Sequence, residues 1–183
     1  MSSPIQSPDG HWWNHPVAGP EKAWLGASLV TAVILFGWMV GWSHLGEQNP
    51  TGRTYRLSTE AYQKKVDAYV EETPETERGL RPEGQDVYIG AFQWQWDGLP
   101  VVLEAGKQYR VHLGAYDVQH GFSLRDQEDL IRQFNLQVLP GYEWVVPMTF
   151  DEPGTYRLIC NEFCGLGHRV MQNKLIVVEG DPS

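Results

Sequence analysis

The sequence predicts a small all-β sandwich or barrel behind one membrane-spanning helix. Two observations predict it. From Ala23 to Gly46 no Asp, Glu, Lys or Arg occurs. From Asp86 onward, short runs of β-branched and aromatic residues are divided about every ten residues by Gly- and Pro-bearing turns, the pattern of short paired strands.

The first run spans roughly 36 Å as a helix, against about 30 Å for a hydrocarbon core. Trp24 and Trp42 stand near its two ends, where interfacial aromatics gather. Gly26, Gly37 and Gly41 would weaken a soluble helix but permit close packing in lipid. A cleaved signal peptide has a shorter apolar core and a small-residue cleavage site, and none follows here. A fully buried helix of this length does not suit so small a domain. The run is therefore read as an uncleaved anchor embedded in a lipid bilayer.

Four segments follow from this reading: a tail over 1–22, the membrane helix over 23–46, a linker over 47–85 that includes a short amphipathic helix, and the β-domain over 86–183. In the linker, Asn49-Pro50-Thr51-Gly52 signals a turn. Ser58-Thr59-Glu60 opens a helix with a hydroxyl cap, Tyr62, Val66, Tyr69 and Val70 recur at helical spacing, and Pro74 stops it. Glu75 to Gly84 is acidic and reads as extended linker. In the β-domain, alternation is clear in Tyr109-Val111-Leu113, in Trp144-Val146-Met148-Phe150 and in Tyr156-Leu158-Cys160. Val87-Tyr88-Ile89 and the run Phe92 to Trp96 read as strands, and Lys174 to Val178 as the last one.

Composition narrows the function. The formal net charge of -9 argues against nucleic acid, whose phosphates call for a surplus of Lys and Arg. Eight Trp in 183 residues suit cores, interfaces and membrane boundaries. The two Cys, four residues apart, make no disulfide framework. No C-x-x-C-H heme-attachment motif is present.

Those cysteines belong to a richer set. Cys160, Cys164 and His168 are spaced by four, Met171 follows, and His120 lies upstream, at or just past the end of the strand around Val111 to Leu113. Cys160 continues a strand pattern and Gly165 and Gly167 disfavour helix, so the set belongs on a loop between strands. Two thiolates, two imidazoles and a thioether are soft ligands. Cys2His2 alone suits tetrahedral zinc, but zinc sites do not recruit Met. A single blue copper uses one Cys, which leaves a thiolate over. Two bridged coppers use every member: each takes one His, with Met171 weakly on one and a main-chain carbonyl such as that of Glu162 on the other. A rigid bridged pair sharing one electron changes shape little on reduction, which favours electron transfer. A membrane-anchored copper-delivery or zinc-binding module is the rival of another class.

Cys-x-Glu-x-Cys-Gly-x-Gly-His-x-x-Met, with an upstream Asp-Val-x-His, resembles subunit II of heme-copper cytochrome c oxidase. The resemblance covers the anchor and Asp86 to Glu179. It implies an all-β, cupredoxin-like Greek-key barrel outside the membrane, on the periplasmic side, holding the dinuclear copper centre CuA. It implies Cys160 and Cys164 as bridging thiolates, His120 and His168 as terminal imidazoles, Met171 as thioether ligand and Glu162 as main-chain ligand. Its partners would be the catalytic heme-copper subunit I and cytochrome c. Phe92, Trp94 and Trp96 resemble the aromatic segment where electrons arrive, Trp94 being the best candidate, with core packing as the plainer reading. A single helix is similar to the B-type branch, which often carries Gln at the Glu162 position. In A-type relatives that Glu also helps bind a magnesium ion at the subunit interface. The small subunit of a copper-containing nitric oxide reductase looks alike and is the alternative within the same class.

Other residues carry plainer readings. His112 alternates between Val111 and Leu113 and is expected to face out. His11, His15 and His44 flank the anchor without partners in sequence. Asp117, three before His120, either orients that ligand or forms a turn. Glu71, Glu72, Glu75 and Glu77 form an acidic run that steers a basic cytochrome c or is simply solvated.

Overall fold

The computed structural model describes Ile5, Gly10 and residues 16–45, 52–129 and 131–180. The expectations for His11, His15 and the Asn49-Pro50-Thr51 turn lie outside the described residues. The chain forms two units, Met1–Asn49 and Pro50–Ser183.

The first unit holds α1, Gly19–Leu45. It begins four residues before the uncharged run. Pro20 fits the first turn because its missing N–H would have no partner there, and Glu21 suits the positive end of the helix dipole. No residue of α1 is buried, and Leu29, Val33, Phe36 and Met39 are all largely exposed. The helix is long and apolar enough to cross a membrane.

The second unit is a sandwich of two sheets. In chain order its elements are β1 (Arg53–Arg56), α2 (Thr59–Glu72), β2 (Glu75–Thr76), β3 (Gly79–Leu80), β4 (Asp86–Phe92), β5 (Gln95–Asp97), β6 (Val101–Glu104), β7 (Gln108–Ala115), β8 (His120–Asp126), β9 (Gln133–Val138), β10 (Tyr142–Thr149), β11 (Gly154–Cys160) and β12 (Gln172–Val178). One sheet runs β1-β10-β7-β4-β5 and the other β2-β3-β6-β12-β11-β8-β9. The chain changes sheet seven times, the last three between β7 and β8, between β9 and β10, and between β10 and β11. These crossings close the core. The alternating residues Val87, Ile89 and Ala91, then Tyr109, Val111, Leu113 and Ala115, meet Phe122, Leu158 and Leu175 from the opposite sheet.

Helix α2 covers the first sheet. Ser58 caps it by accepting from the Ala61 N–H at 3.2 Å. Its apolar face buries Tyr62, Val66 and Tyr69, at helical spacing. The Tyr62 hydroxyl donates to the Ile89 carbonyl at 2.9 Å. The ring lies over Gly114, where a Cβ would stand 2.4 Å from it, so only glycine admits it.

Three expectations change. Glu75 to Gly84 is not plain linker: β2 and β3 add to the second sheet, with Leu80 buried opposite Val101. A lone apolar residue in an acidic stretch is too weak a periodic signal to mark a strand. His120 does not end the preceding strand; it opens β8. His112 does not face out. It is 9% exposed, stacked on Tyr88 with ring centroids 4.1 Å apart. Its Nδ1 lies 2.7 Å from Glu143 and its Nε2 3.1 Å from Asp86. β7 is covered on both faces here, so alternation does not report exposure. Glu143, nearly fully buried, also meets Lys65 of α2 at 2.7 Å, which compensates its charge.

Gly114→Ala should destabilise the full chain by roughly 1–3 kcal/mol through overpacking against Tyr62. Adding Tyr62→Leu should recover part of that loss in urea unfolding. Strictly additive losses would show that the two positions do not meet.

Candidate metal centre

Strand β11 delivers Cys160 to the end of the second sheet, and β12 carries the chain back. The Cys160 N–H donates to the Met171 carbonyl at 3.0 Å, closing the intervening loop at its base. The Asn161 N–H donates to the Gly121 carbonyl at 3.2 Å, tying the loop to β8. Inside, His168 N–H donates to Gly165 O at 3.0 Å and Met171 N–H to His168 O at 3.1 Å, around a single 3₁₀ turn over His168–Val170. The loop's backbone is thus held by the chain itself.

The side chains converge. Cys160 Sγ and Cys164 Sγ are 3.7 Å apart and both cysteines are free and buried. That separation is too long for a disulfide, about 2.05 Å. It is short enough for one metal to reach both sulfurs through bonds of about 2.3 Å. His120 Nδ1 lies 3.9 Å from Cys160 Sγ, and His168 Nδ1 lies 3.6 Å from Cys164 Sγ. Met171 Sδ is 3.7 Å from Cys164 Sγ, and the Glu162 carbonyl oxygen is 3.1 Å from Cys160 Sγ. The ligand atoms of His120, Cys160 and Cys164 all lie within 4.8 Å of one another. All six sequence-predicted ligand residues therefore meet in one place. The side-chain donors are soft, with His120, Cys160, Cys164 and Met171 buried and His168 half-buried, which fits copper or zinc chemistry and disfavours hard cations.

The electrostatics prepare the sulfurs unequally. For Cys160, burial pushes the thiol up, but hydrogen bonds from His120 and the Gly121 N–H outweigh it and bring it down to about 6. Cys164 is pushed up to about 12 by burial and by the charge on Cys160. Cys160 is thus the readier thiolate of the two, and a cation beside the pair would favour ionisation of both. Asp117 takes the orienting role: its Oδ1 is 2.9 Å from His120 Nε2, leaving Nδ1 facing the sulfur.

The aromatic run divides. Trp94, 38% exposed, sits in the turn between β4 and β5, and its ring covers Gly167, where a Cβ would stand 2.4 Å from it. Trp96 is buried, with its ring 6.4 Å from that of His120. Phe92 stacks on Tyr116 at 5.9 Å. The run Phe92 to Trp96, read as one strand, is broken by a turn, so that Trp94 lies over the loop while Trp96 packs in the core. Gln93, unmarked by any sequence signal, donates from Nε2 to the Cys164 carbonyl at 2.5 Å and from its backbone N–H to Asp117 at 2.8 Å. Phe163 and Leu166 stand almost fully exposed on the loop. The Glu162 side chain accepts from Gln137 at 2.8 Å.

No protein-family model matches the sequence. Over 98 residues, 54% of this chain and 69% of the relative, it is 36% identical to a cytochrome c oxidase subunit 2 of Thermus thermophilus. The chain belongs to the cytochrome c oxidase subunit 2 family. A second Thermus thermophilus protein of that name is 28% identical over 174 residues, 93% of this chain and 99% of the relative. A chain of a heme-copper terminal oxidase dimer solved by cryo-electron microscopy superposes with a TM-score of 0.53 at 24% identity, over 87% of this chain and 99% of that one. That likeness is one of fold. As a member of the subunit 2 family, the chain is part of an oxidoreductase, and His120, Cys160 and Cys164 form the one cluster of His, Cys, Asp or Glu side chains among the described residues whose geometry could hold a metal ion.

Gly167→Ala should displace the Trp94 ring and reduce metal retained after dialysis at least tenfold. Gly154→Ala, which meets open space, should leave retention unchanged. Equal retention in both would remove the Trp94 contact from the account.

Proposed function

We propose that the chain receives single electrons for a heme-copper oxidase at a dinuclear copper centre, CuA, and passes them to heme in the catalytic subunit, where oxygen is reduced. One observation carries the reading: two unbonded, buried sulfurs 3.7 Å apart, each with its own imidazole Nδ1 on the flank. One tetrahedral ion would use those four ligands alone, and Met171 Sδ beside Cys164 and the Glu162 carbonyl beside Cys160 supply the extra donors that a second ion takes. Cys160 and Cys164 would bridge, His120 and His168 would end the set, and Met171 Sδ and the Glu162 carbonyl would be weak further ligands. Bound there, the copper pair supplies a one-electron store spread over two ions.

The chain's own residues do the rest. The bonds from Cys160 to Met171 and from Asn161 to Gly121 hold the sulfurs in place when charge arrives. Burial of His120 and Met171 keeps water from the inner side. Trp94, half-exposed over the loop, is the residue through which cytochrome c hands over its electron, with Phe92 and Trp96 as the other aromatic residues of the entry segment. The Glu162 carboxylate is the group a magnesium ion at the interface with subunit I would use. α1 is the one membrane anchor among the described residues, as in the B-type branch, and the copper domain, extended from 86–183 to take in β1, α2, β2 and β3, lies on the periplasmic side.

Elemental analysis and EPR of the full chain test this. Two coppers per chain, with one unpaired electron split by both nuclei, are expected. Met171→Leu should keep both coppers and change the spectrum, while Cys160→Ser should abolish the shared-electron signal. One zinc per chain, or an unchanged signal in Cys160→Ser, would refute the bridged centre.

A further inference from the structure

The outer face of the second sheet carries a row of like charges. Arg125 in β8 stands directly opposite Arg157 in β11, and Arg157 directly opposite Lys174 in β12. Side chains opposed across antiparallel strands share a face, and like charges there repel. The neighbouring rows offer no relief: Ser123, Ile159 and Gln172 on the side of the ligand loop, Thr155 and Ile176 on the other. The chain is acidic, with a formal net charge of -9, so the row does not reflect a general surplus of cations.

Arg81, Arg110 and Arg132 each meet a carboxylate. Among the described residues, Arg53, Arg56, Arg78, Arg125, Arg157 and Arg169 meet none, and the last three share a single cavity. Arg125 Nε donates to Ser123 Oγ at 3.1 Å, and Arg157 Nη2 donates to the Gln172 side-chain oxygen. These neutral contacts orient two guanidinium groups and leave their charge uncompensated. Arg125, Arg157 and Arg169 line one cavity of about 680 Å³, whose wall on the loop side is formed by Cys160, His168 and Met171. Asp126 also lines it; its Oδ1 accepts from the N–H groups of Glu128 and Asp129 at 2.9 and 3.4 Å, and among the described residues no guanidinium pairs with it, so the three arginines outnumber it at the cavity.

We propose that this cavity is an oxyanion site, taking a carboxylate or phosphate group between the Arg125 and Arg157 guanidiniums, with Arg169 closing on it beside the ligand loop. A planar guanidinium matches the paired oxygens of such a group, and a bound oxyanion turns a repelling row into an attractive one. The group comes either from a free small anion or from an acidic side chain of a protein docked over the loop.

The test is calorimetric titration of the full chain in detergent with inorganic phosphate at low ionic strength. Saturable one-to-one binding that weakens with added salt is expected. Binding should fall at least tenfold in the Arg125→Gln, Arg157→Gln double variant. That variant removes a repulsion, so without phosphate it should melt no lower than the parent, and phosphate should raise only the parent's Tm. Arg169→Gln, on an exposed turn outside the strands, should weaken binding without touching the sheet. Arg53→Gln should bind as the parent does. Repeating the titration on the assembled oxidase separates the sources. Binding there points to a free anion, whereas binding by the isolated chain alone points to a protein carboxylate that fills the site. No saturable binding by the isolated chain, or undiminished binding in the double variant, overturns the proposal. Neither readout needs copper, so its failure leaves the metal assignment standing.

Discussion

The pairing of β11 with β8 on one side and β12 on the other decides where every sulfur and imidazole goes. Cys160 stands opposite Phe122 in that ladder, which brings His120, two residues back, to the same end of the sheet. The backbone bond from Cys160 to Met171 closes the return. A one-residue slip in either pairing would turn Cys160 to the outer face and His120 away from it. The core beneath, with Phe122, Leu158 and Leu175 fully buried, is what makes such a slip costly. Stability and site geometry thus rest on the same register.

A second layer holds the ligands from the opposite sheet. The turn between β4 and β5 reaches the ligand loop through Gln93 and Trp94, and reaches His120 through Asp117. The two sheets therefore grip the centre from both sides, and neither contact is local in sequence. This explains why the loop tolerates exposed Phe163 and Leu166: its fixed side faces inward, while its apolar outer side is left free. The unequal thiols fit the same picture, since one sulfur accepts from His120 and a backbone N–H while the other meets its neighbour's charge.

Much of this is legible in the sequence, for identifiable reasons. α2 is legible because its cap, its apolar spacing and its terminating proline agree. The ligand loop is legible because soft side chains at short spacing have few other uses. The division of Trp94 from Trp96 is not, because alternation assumes an unbroken strand and the chain turns at Gln93. β6 is weakly marked because Val101-Val102-Leu103 is a short run, whereas Gln133 to Val138 alternates polar with apolar at every residue and carries a strand signal of its own. The burial of His112 depends on Tyr88, Asp86 and Glu143, brought in from two other strands. No single-strand pattern contains that information.

The central claim is that Cys160 and Cys164 bridge two coppers. Copper X-ray absorption on the full metal-loaded chain tests it most directly. The account predicts sulfur neighbours at about 2.3 Å around copper, together with a second copper as a near scatterer. A copper with one sulfur and no metal neighbour, or a chain that holds only zinc, would contradict it.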